Sequence, residues 1–279
     1  MSGRPIIAST QGFERDVTRW ILRGYTVLAF TFLLLPIAII VLMSFSNQRY
    51  MGFPPPGWTL HWYEAVREQP RWLTATINSF CIGIPTALLA IVFGTLAALG
   101  IARGDVRFRK FLLLLMMAPM MLPHVIIAIG LYPTLVDMRL QDSYIAVIIG
   151  HTVIGVPLVF ITVTASLRSY PASLDLAART LGAGTWQAFR RVTLPMIWVG
   201  IVSGGLLAFA TSFDELMLAL FLTSPGTETL PRLIWDQLSF ALSPTLAAVA
   251  TLILVLSVLL QGFAVYLGAR RSALKRAQP

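Results

Sequence analysis

One cysteine, Cys81, stands in 279 residues. It lies inside an apolar run, so an intrachain disulfide, a thiolate metal site and a Cys-x-x-Cys redox pair are all excluded. Charge is scarce as well: 12% of the chain is charged, and only 12 residues are acidic against 21 lysines and arginines. No Gly-x-x-x-x-Gly-Lys-Ser/Thr phosphate loop occurs, which excludes ATP hydrolysis by this chain unaided. Neither a Ser/His/Asp set nor a His-Glu-x-x-His helix is present to support a hydrolase. His124 and His151 show no metal-ligand spacing and are assigned no chemistry.

What is there is apolar. Hydrophobic residues make up 57% of the sequence and mean hydropathy is +0.78. That is too apolar for a water-soluble fold, so the bilayer is the solvent of a single membrane domain. Residues 1 to about 22 are polar and mixed in charge. Apolar runs long enough to cross a bilayer follow at about Gly24–Phe45, Thr76–Ile101, Phe111–Val136, Tyr144–Leu167, Met196–Leu222 and Thr245–Gly268. The first run has no Ala-x-Ala exit and reads as a retained anchor. Between the first two runs, Ser46 to Thr74 carries Pro54-Pro55-Pro56-Gly57 with Trp58, Trp62 and Trp72, the composition of a partly ordered loop at the membrane interface. The division is therefore a 1–22 segment, a six-helix domain over 23–270 and a basic tail, 271–279.

Orientation follows from the cations, which cytoplasmic loops retain. With the N-terminus inside, the inner segments hold Arg4, Arg15, Arg19 and Arg23; Arg103, Arg107, Arg109 and Lys110; Arg168, Arg179, Arg190 and Arg191; and Arg270, Arg271, Lys275 and Arg276. Five of the 21 remain for the other side: Arg49, Arg67, Arg71, Arg139 and Arg232. The net charge of +9 is thus a topology signal and not a nucleic-acid footprint, and both termini are expected in the cytoplasm.

The longest polar-rich segment between two apolar runs is 171–195. Ser173 is a candidate N-cap, and Asp175 favours the first turn. Leu174, Ala177, Ala178 and Leu181 fall at i, i+3, i+4 and i+7 and form one apolar stripe. Gly182, just past that stripe, suits the left-handed conformation that turns a chain out of a helix. Thr185 is placed to cap a second helix, and Pro195 to open the following span.

This segment resembles the EAA loop of ABC importer permeases. Leu176-Ala177-Ala178, Gly182 and Val192-Thr193-Leu194-Pro195 keep that spacing, with Leu176 where the family has glutamate and Asp175 one residue earlier. The resemblance implies an all-α polytopic membrane protein of six transmembrane helices with the type I ABC importer permease (MetI-like) fold. It further implies that Asp175, Leu176, Ala177, Ala178, Gly182, Val192, Leu194 and Pro195 form a cytoplasmic coupling loop that docks on an ABC ATPase dimer. ATP and magnesium would sit on that ATPase, not on this chain. A second homologous permease chain and a soluble periplasmic or lipid-anchored substrate-binding protein complete the implied complex, in the bacterial inner membrane.

Three further stretches bear on the solute. Gly94 and Ala98, in Gly94-Thr95-Leu96-Ala97-Ala98, are four apart on one helix face and permit close approach of a neighbouring helix. In the third run Pro119 and Pro123, then Pro133, interrupt the backbone ladder, which suits either a span lining the translocation route or a kinked packing helix. In the fifth, Phe213-Asp214-Glu215 places two carboxylates roughly 27 Å along the helix from Met196 at 1.5 Å per residue, near the outer mouth. Adjacent residues point about 100° apart on a helix, so one of the two is expected to face the path and the other a partner helix, the alternative being a structural pair bonded to neighbouring backbone or arginine. Ser212-Phe213-Asp214-Glu215, with Phe221-Leu222-Thr223-Ser224-Pro225-Gly226 and Thr229-Leu230-Pro231-Arg232, is similar to the PotC/PotI-like permeases of spermidine/putrescine importers. Systems for iron(III), opines, aminobutyrate or phosphonates share much of that pattern. Outside the cytoplasmic segments, eight carboxylates (Glu64, Glu68, Asp137, Asp142, Asp214, Glu215, Glu228, Asp236) face five arginines, a modest bias towards cations.

Overall fold

A computed structural model describes residues 8–104, 107–169, 171, 173–240, 243–255 and 258–259, with nearly all their side chains from Arg19 onward. Asp105, the basic tail and residues 256–257 and 260–268 of the expected sixth span lie outside these residues. So do the side chains of the polar segment before Arg19.

The described elements are helical apart from one isolated bridge, and they fall into two compact units. One unit is Met1–Glu68 with Gln237–Pro279. Its first helix, α1 (Ala8–Met43), exposes Leu22, Leu28, Phe32 and Leu35, as a helix dissolved in lipid does. The proline-rich stretch beyond it is folded back and ordered. Ser46 bridges Trp58, Trp62 Nε1 donates to the Ser46 carbonyl at 2.6 Å, and the Tyr63 and Phe45 rings stack at 5.3 Å. A short helix, α2 (His61–Glu68), ends this part, and a further apolar helix runs over Pro244–Val255.

The other unit, Gln69–Asp236, carries the packed core. Its long helices are α3 (Pro70–Arg103), α6 (Tyr144–Arg168) and α9 (Leu194–Phe213). α3 starts at Pro70 and not near Thr76, because a proline at N1 has no N–H to leave orphaned. That extension removes Trp72 from the interfacial loop: it is a buried residue of α3. α3, α6 and α9 meet through small residues. A Cβ on Gly94 would lie 2.7 Å from Val159 Cβ and 2.9 Å from the Val156 carbonyl oxygen, so only glycine lets α3 approach α6 there. Around this seam Ala90, Ala98, Val159, Val163, Ile197 and Ala208 form one buried cluster.

The expected third span is two helices, α4 (Arg109–Met121) and α5 (His124–Asp137), bent by 103°. Pro123 makes the break. The residue before a proline is barred from the helical region, and Leu122 is extended at φ −93°, ψ 138°. Pro119 and Pro133 stay inside their helices. The two halves have 13 and 14 residues, each about 20 Å long, shorter than a hydrocarbon core of about 30 Å.

The fifth run also departs from expectation. Pro195 does not open a helix: α8 (Thr185–Ala188), a π-helical turn at Phe189–Thr193 and α9 are continuous, giving one 29-residue span from Thr185 to Phe213. Leu194 N bonds the Phe189 carbonyl in the wider π pattern, which absorbs the N–H that Pro195 lacks. At the far end the helix stops at Phe213, and α10 (Met217–Leu222) starts after a break at Asp214–Leu216. Another helix, α11 (Leu230–Phe240), follows. Four described helices are long and apolar enough to cross a membrane, five if α4 and α5 count as one span.

Candidate functional site

Beside the Arg103 end of α3 the 171–195 segment forms a helix, a turn and a second helix. α7 (Ser173–Thr180) leaves through Gly182 at φ +86°. Gly182 N bonds the Arg179 carbonyl and Ala183 N the Ala178 carbonyl, both at 3.0 Å, which is the Schellman pair that closes a helix on a left-handed residue. No atom lies within 4 Å of a Cβ built on Gly182, so the constraint there is conformational and not steric. Gly184, not Thr185, is the N-cap of α8, and Thr185 is its first residue.

The apolar stripe of α7 points away from the rest of the chain. Leu176 is 65% exposed, Leu181 89% and Trp186 71%, with Leu174 and Ala177 exposed beside them. Ala178 and Val192 instead join Leu181 and Gly182 around a groove of about 290 Å³. Val192 and Leu194 pack against the core cluster, and Pro195 is exposed on the continuous helix.

Asp175 turns inward. Its carboxylate pairs with the Arg103 guanidinium at the last residue of α3, and accepts from Thr193 Oγ1 at 2.9 Å. Arg103 Nη1 also reaches Thr193 Oγ1 at 3.5 Å, so three elements meet at one ionic knot. Beside it a second groove of about 360 Å³ is lined by Leu96, Leu99, Arg179, Trp186 and Phe189 among others.

At the far end of α9, the break between α9 and α10 separates two adjacent acids. Glu215 is buried, one carboxylate oxygen 2.6 Å from His124 Nδ1 and the other accepting Leu218 N at 3.1 Å. It therefore caps α10 and ties that helix to the first residue of α5, immediately after Pro123. Asp214 is exposed and has no hydrogen-bond or ion-pair partner among the described residues. Because both lie in a break and not on a helix, they part by burial and not by a regular 100° step. Phe213 sits in a trio of rings, 5.2 Å from Phe80 and 5.7 Å from Phe209. One position before it, Ser212 Oγ lies 2.7 Å from Nδ1 of His151, which is fully buried. Pro119 is not part of this group; it lies across the bend, inside α4.

The loop from Thr223 to Thr229 is pinned to α3 and α6. Arg71 binds both carboxylate oxygens of Glu228 at 2.7 and 2.8 Å and reaches Asp236 at 3.5 Å. Asn78 donates to the Glu228 carbonyl, Tyr144 donates to Asn78, and Ser79 accepts Leu230 N. The acidic excess counted from sequence is thereby reduced: Glu215, Glu228 and Asp236 are all engaged by cationic or imidazole groups.

Sequence reasoning missed His124, His151 and Arg103. The signal for His124 was available, since a carboxylate in an apolar run needs a partner and the histidine of the third run is a candidate, whereas His151 meets the Ser212 hydroxyl and had no such signal. For Arg103 the signal was its place at the inner end of a span, level with an acidic first turn.

Residues 90–273 match the family described as binding-protein-dependent transport system inner membrane component. The spermidine/putrescine transport system permease protein PotC of Escherichia coli (strain K12) is 28% identical over 237 residues, covering 85% of this chain and 89% of PotC. The putrescine transport system permease protein PotI of the same strain is 31% identical over 235 residues, covering 82% and 83%. Among solved structures, a chain of a bacterial ABC transporter involved in the import of the acidic polysaccharide alginate superposes with a TM-score of 0.67. It shares 17% identity and covers 97% of this chain and 99% of that one.

Proposed function

The chain belongs to the binding-protein-dependent transport system inner membrane components, and we propose that it is one of two permease subunits of an ATP-driven importer of spermidine and putrescine. It is a permease component of an ABC importer and carries no phosphate loop of its own. An ABC ATPase dimer on the cytoplasmic side binds ATP and magnesium. A soluble binding protein, free in the periplasm or lipid-anchored, delivers the solute to the outer face. A homologous permease completes the path by a pseudo-two-fold arrangement, and both termini lie in the cytoplasm. The surrounding partner is lipid, not nucleic acid.

Coupling runs through α7 and α8. Closure of the ATPase dimer moves the exposed Leu176, Leu181 and Trp186 surface, Gly182 fixes the angle between the two short helices, and the unbroken Thr185–Phe213 span carries that movement across the membrane. Alternating access follows from tilting of this span with its packed neighbours.

The observation that carries the solute assignment is Asp214, an exposed carboxylate with no hydrogen-bond or ion-pair partner among the described residues, adjacent in sequence to Phe213, whose ring meets those of Phe80 and Phe209. A carboxylate attracts an ammonium group electrostatically, and ring faces add to that attraction. PotC and PotI, named for spermidine and putrescine, support the same class of solute. The test is uptake into vesicles holding the whole complex with ATP inside. Spermidine is expected to accumulate, and excess putrescine to compete. Accumulation of a neutral or anionic solute with no competition by either amine would refute the assignment.

A further inference from the structure

We propose that Arg103, Asp175 and Thr193 form an intramolecular latch that fixes the coupling helix α7 to the inner ends of α3 and the Thr185–Phe213 span. Asp175 then works as a positioning residue within the chain and not as a contact for the ATPase. The inference rests on the importer reading above, since a coupling helix needs an ATPase to move it.

An isolated helix of eight residues is too short to hold itself together in water. α7 has no buried residue, and its leucines face outward, so apolar burial against its own chain does not hold it either. What the structure supplies instead is polar. The Asp175 carboxylate is 18% exposed, the Arg103 side chain 25%, and Thr193 is buried, a setting in which an ion pair is screened far less than on an open surface. The three partners come from three elements: the end of α3, the first turn of α7, and the π-helical turn that leads into α9. α3 and α9 already pack with α6 around Ile101, Ile197 and Ile201. Tying α7 to both makes the coupling helix a rigid extension of that bundle.

The outward face agrees. At the position where the resembled loop has glutamate, this chain has Leu176, and it is exposed beside Leu181 and Trp186. The acid of this first turn is displaced by one residue, and that step carries it from the docking face to the inner face. Arg179 lines the same groove as Arg103 and Asp175.

The test uses the full complex in vesicles, measuring spermidine uptake and ATP hydrolysis together, and amide exchange of α7 in the full-length chain alone. Arg103→Gln and Asp175→Asn are each expected to cut solute moved per ATP about tenfold with the complex still assembled. The double variant is expected to be no worse than the poorer single one, the non-additivity of a shared contact. Thr193→Val, which removes one hydrogen bond, is expected to cost about threefold. Exchange at α7 amides is expected to speed at least tenfold in each charge variant. Unchanged coupling in Asp175→Asn, multiplying losses in the double variant, or loss of ATPase binding in Asp175→Asn alone would overturn the latch. If the wild-type complex moves no spermidine while α7 remains protected by Arg103 and Asp175, the polyamine assignment fails and the latch stands.

Discussion

The two ends of the Thr185–Phe213 span treat helix continuity in opposite ways. At the inner end a proline that should interrupt the helix does not: the π-helical turn at Phe189–Thr193 widens the ladder and the chain runs straight past Pro195. At the outer end no proline or glycine is present, yet the helix stops at Phe213. Glu215 takes over the N–H of Leu218 and binds His124, and these side-chain bonds replace the backbone bonds that the break forfeits. Where a membrane helix breaks is thus decided by which polar partner lies beside it as much as by its own residues. The α4–α5 pair makes the same point, since Pro123 breaks the chain while Pro119 and Pro133 do not.

The acids at the two ends differ in a related way. Asp175 and Glu215 are both committed to partners within the unit, and Asp214 has none among the described residues. The largest effect is therefore expected on removing Glu215. Glu215→Ala leaves His124 unpaired and α10 uncapped, and should destabilise the chain by about 3 kcal/mol, the lower end for a broken buried pair because His124 is partly exposed. The measurement is the thermal unfolding midpoint of the detergent-solubilised chain. A midpoint equal to wild type would mean that the break at 214–216 is held by something else.

An intermediate effect is expected at Gly182. Gly182→Val has room for its side chain but must adopt φ +86°, at a cost of about 1–3 kcal/mol, or relax and re-aim α7. Co-purification of the ATPase is expected to be lost, while the chain still inserts. Gly182→Asn, which tolerates the left-handed region, is expected to retain it. Equal retention of the ATPase by both variants would show that the turn angle does not matter and that the inner end is not a coupling element.

Much of this was legible from sequence alone because it rests on local chemistry. The apolar runs, the left-handed glycine at 182 and the close approach at Gly94 each follow from a few neighbouring residues. The extension of α3 to Pro70, which buries Trp72, was not read from the sequence, although the N1 preference of proline was the local signal for it. Other features depend on partners distant in the chain. Asp175 meets Arg103, Glu215 meets His124, His151 meets Ser212, and Arg71 meets Glu228, and no spacing rule relates those pairs. The break at Asp214 belongs to this second group. Periodicity continues through it, and only the tertiary bonds of Glu215 show why the helix ends.

The smallest effect on stability and the most direct test of the solute assignment meet at Asp214. Asp214→Asn keeps the volume and removes the charge of an exposed side chain with no partner among the described residues, so stability is expected to stay within about 0.5 kcal/mol of wild type. Initial spermidine uptake by vesicles holding the complete importer is expected to fall about tenfold, with binding of spermidine to the isolated binding protein unchanged. Uptake equal to wild type in the folded, assembled Asp214→Asn complex would contradict a cation-recognising outer mouth.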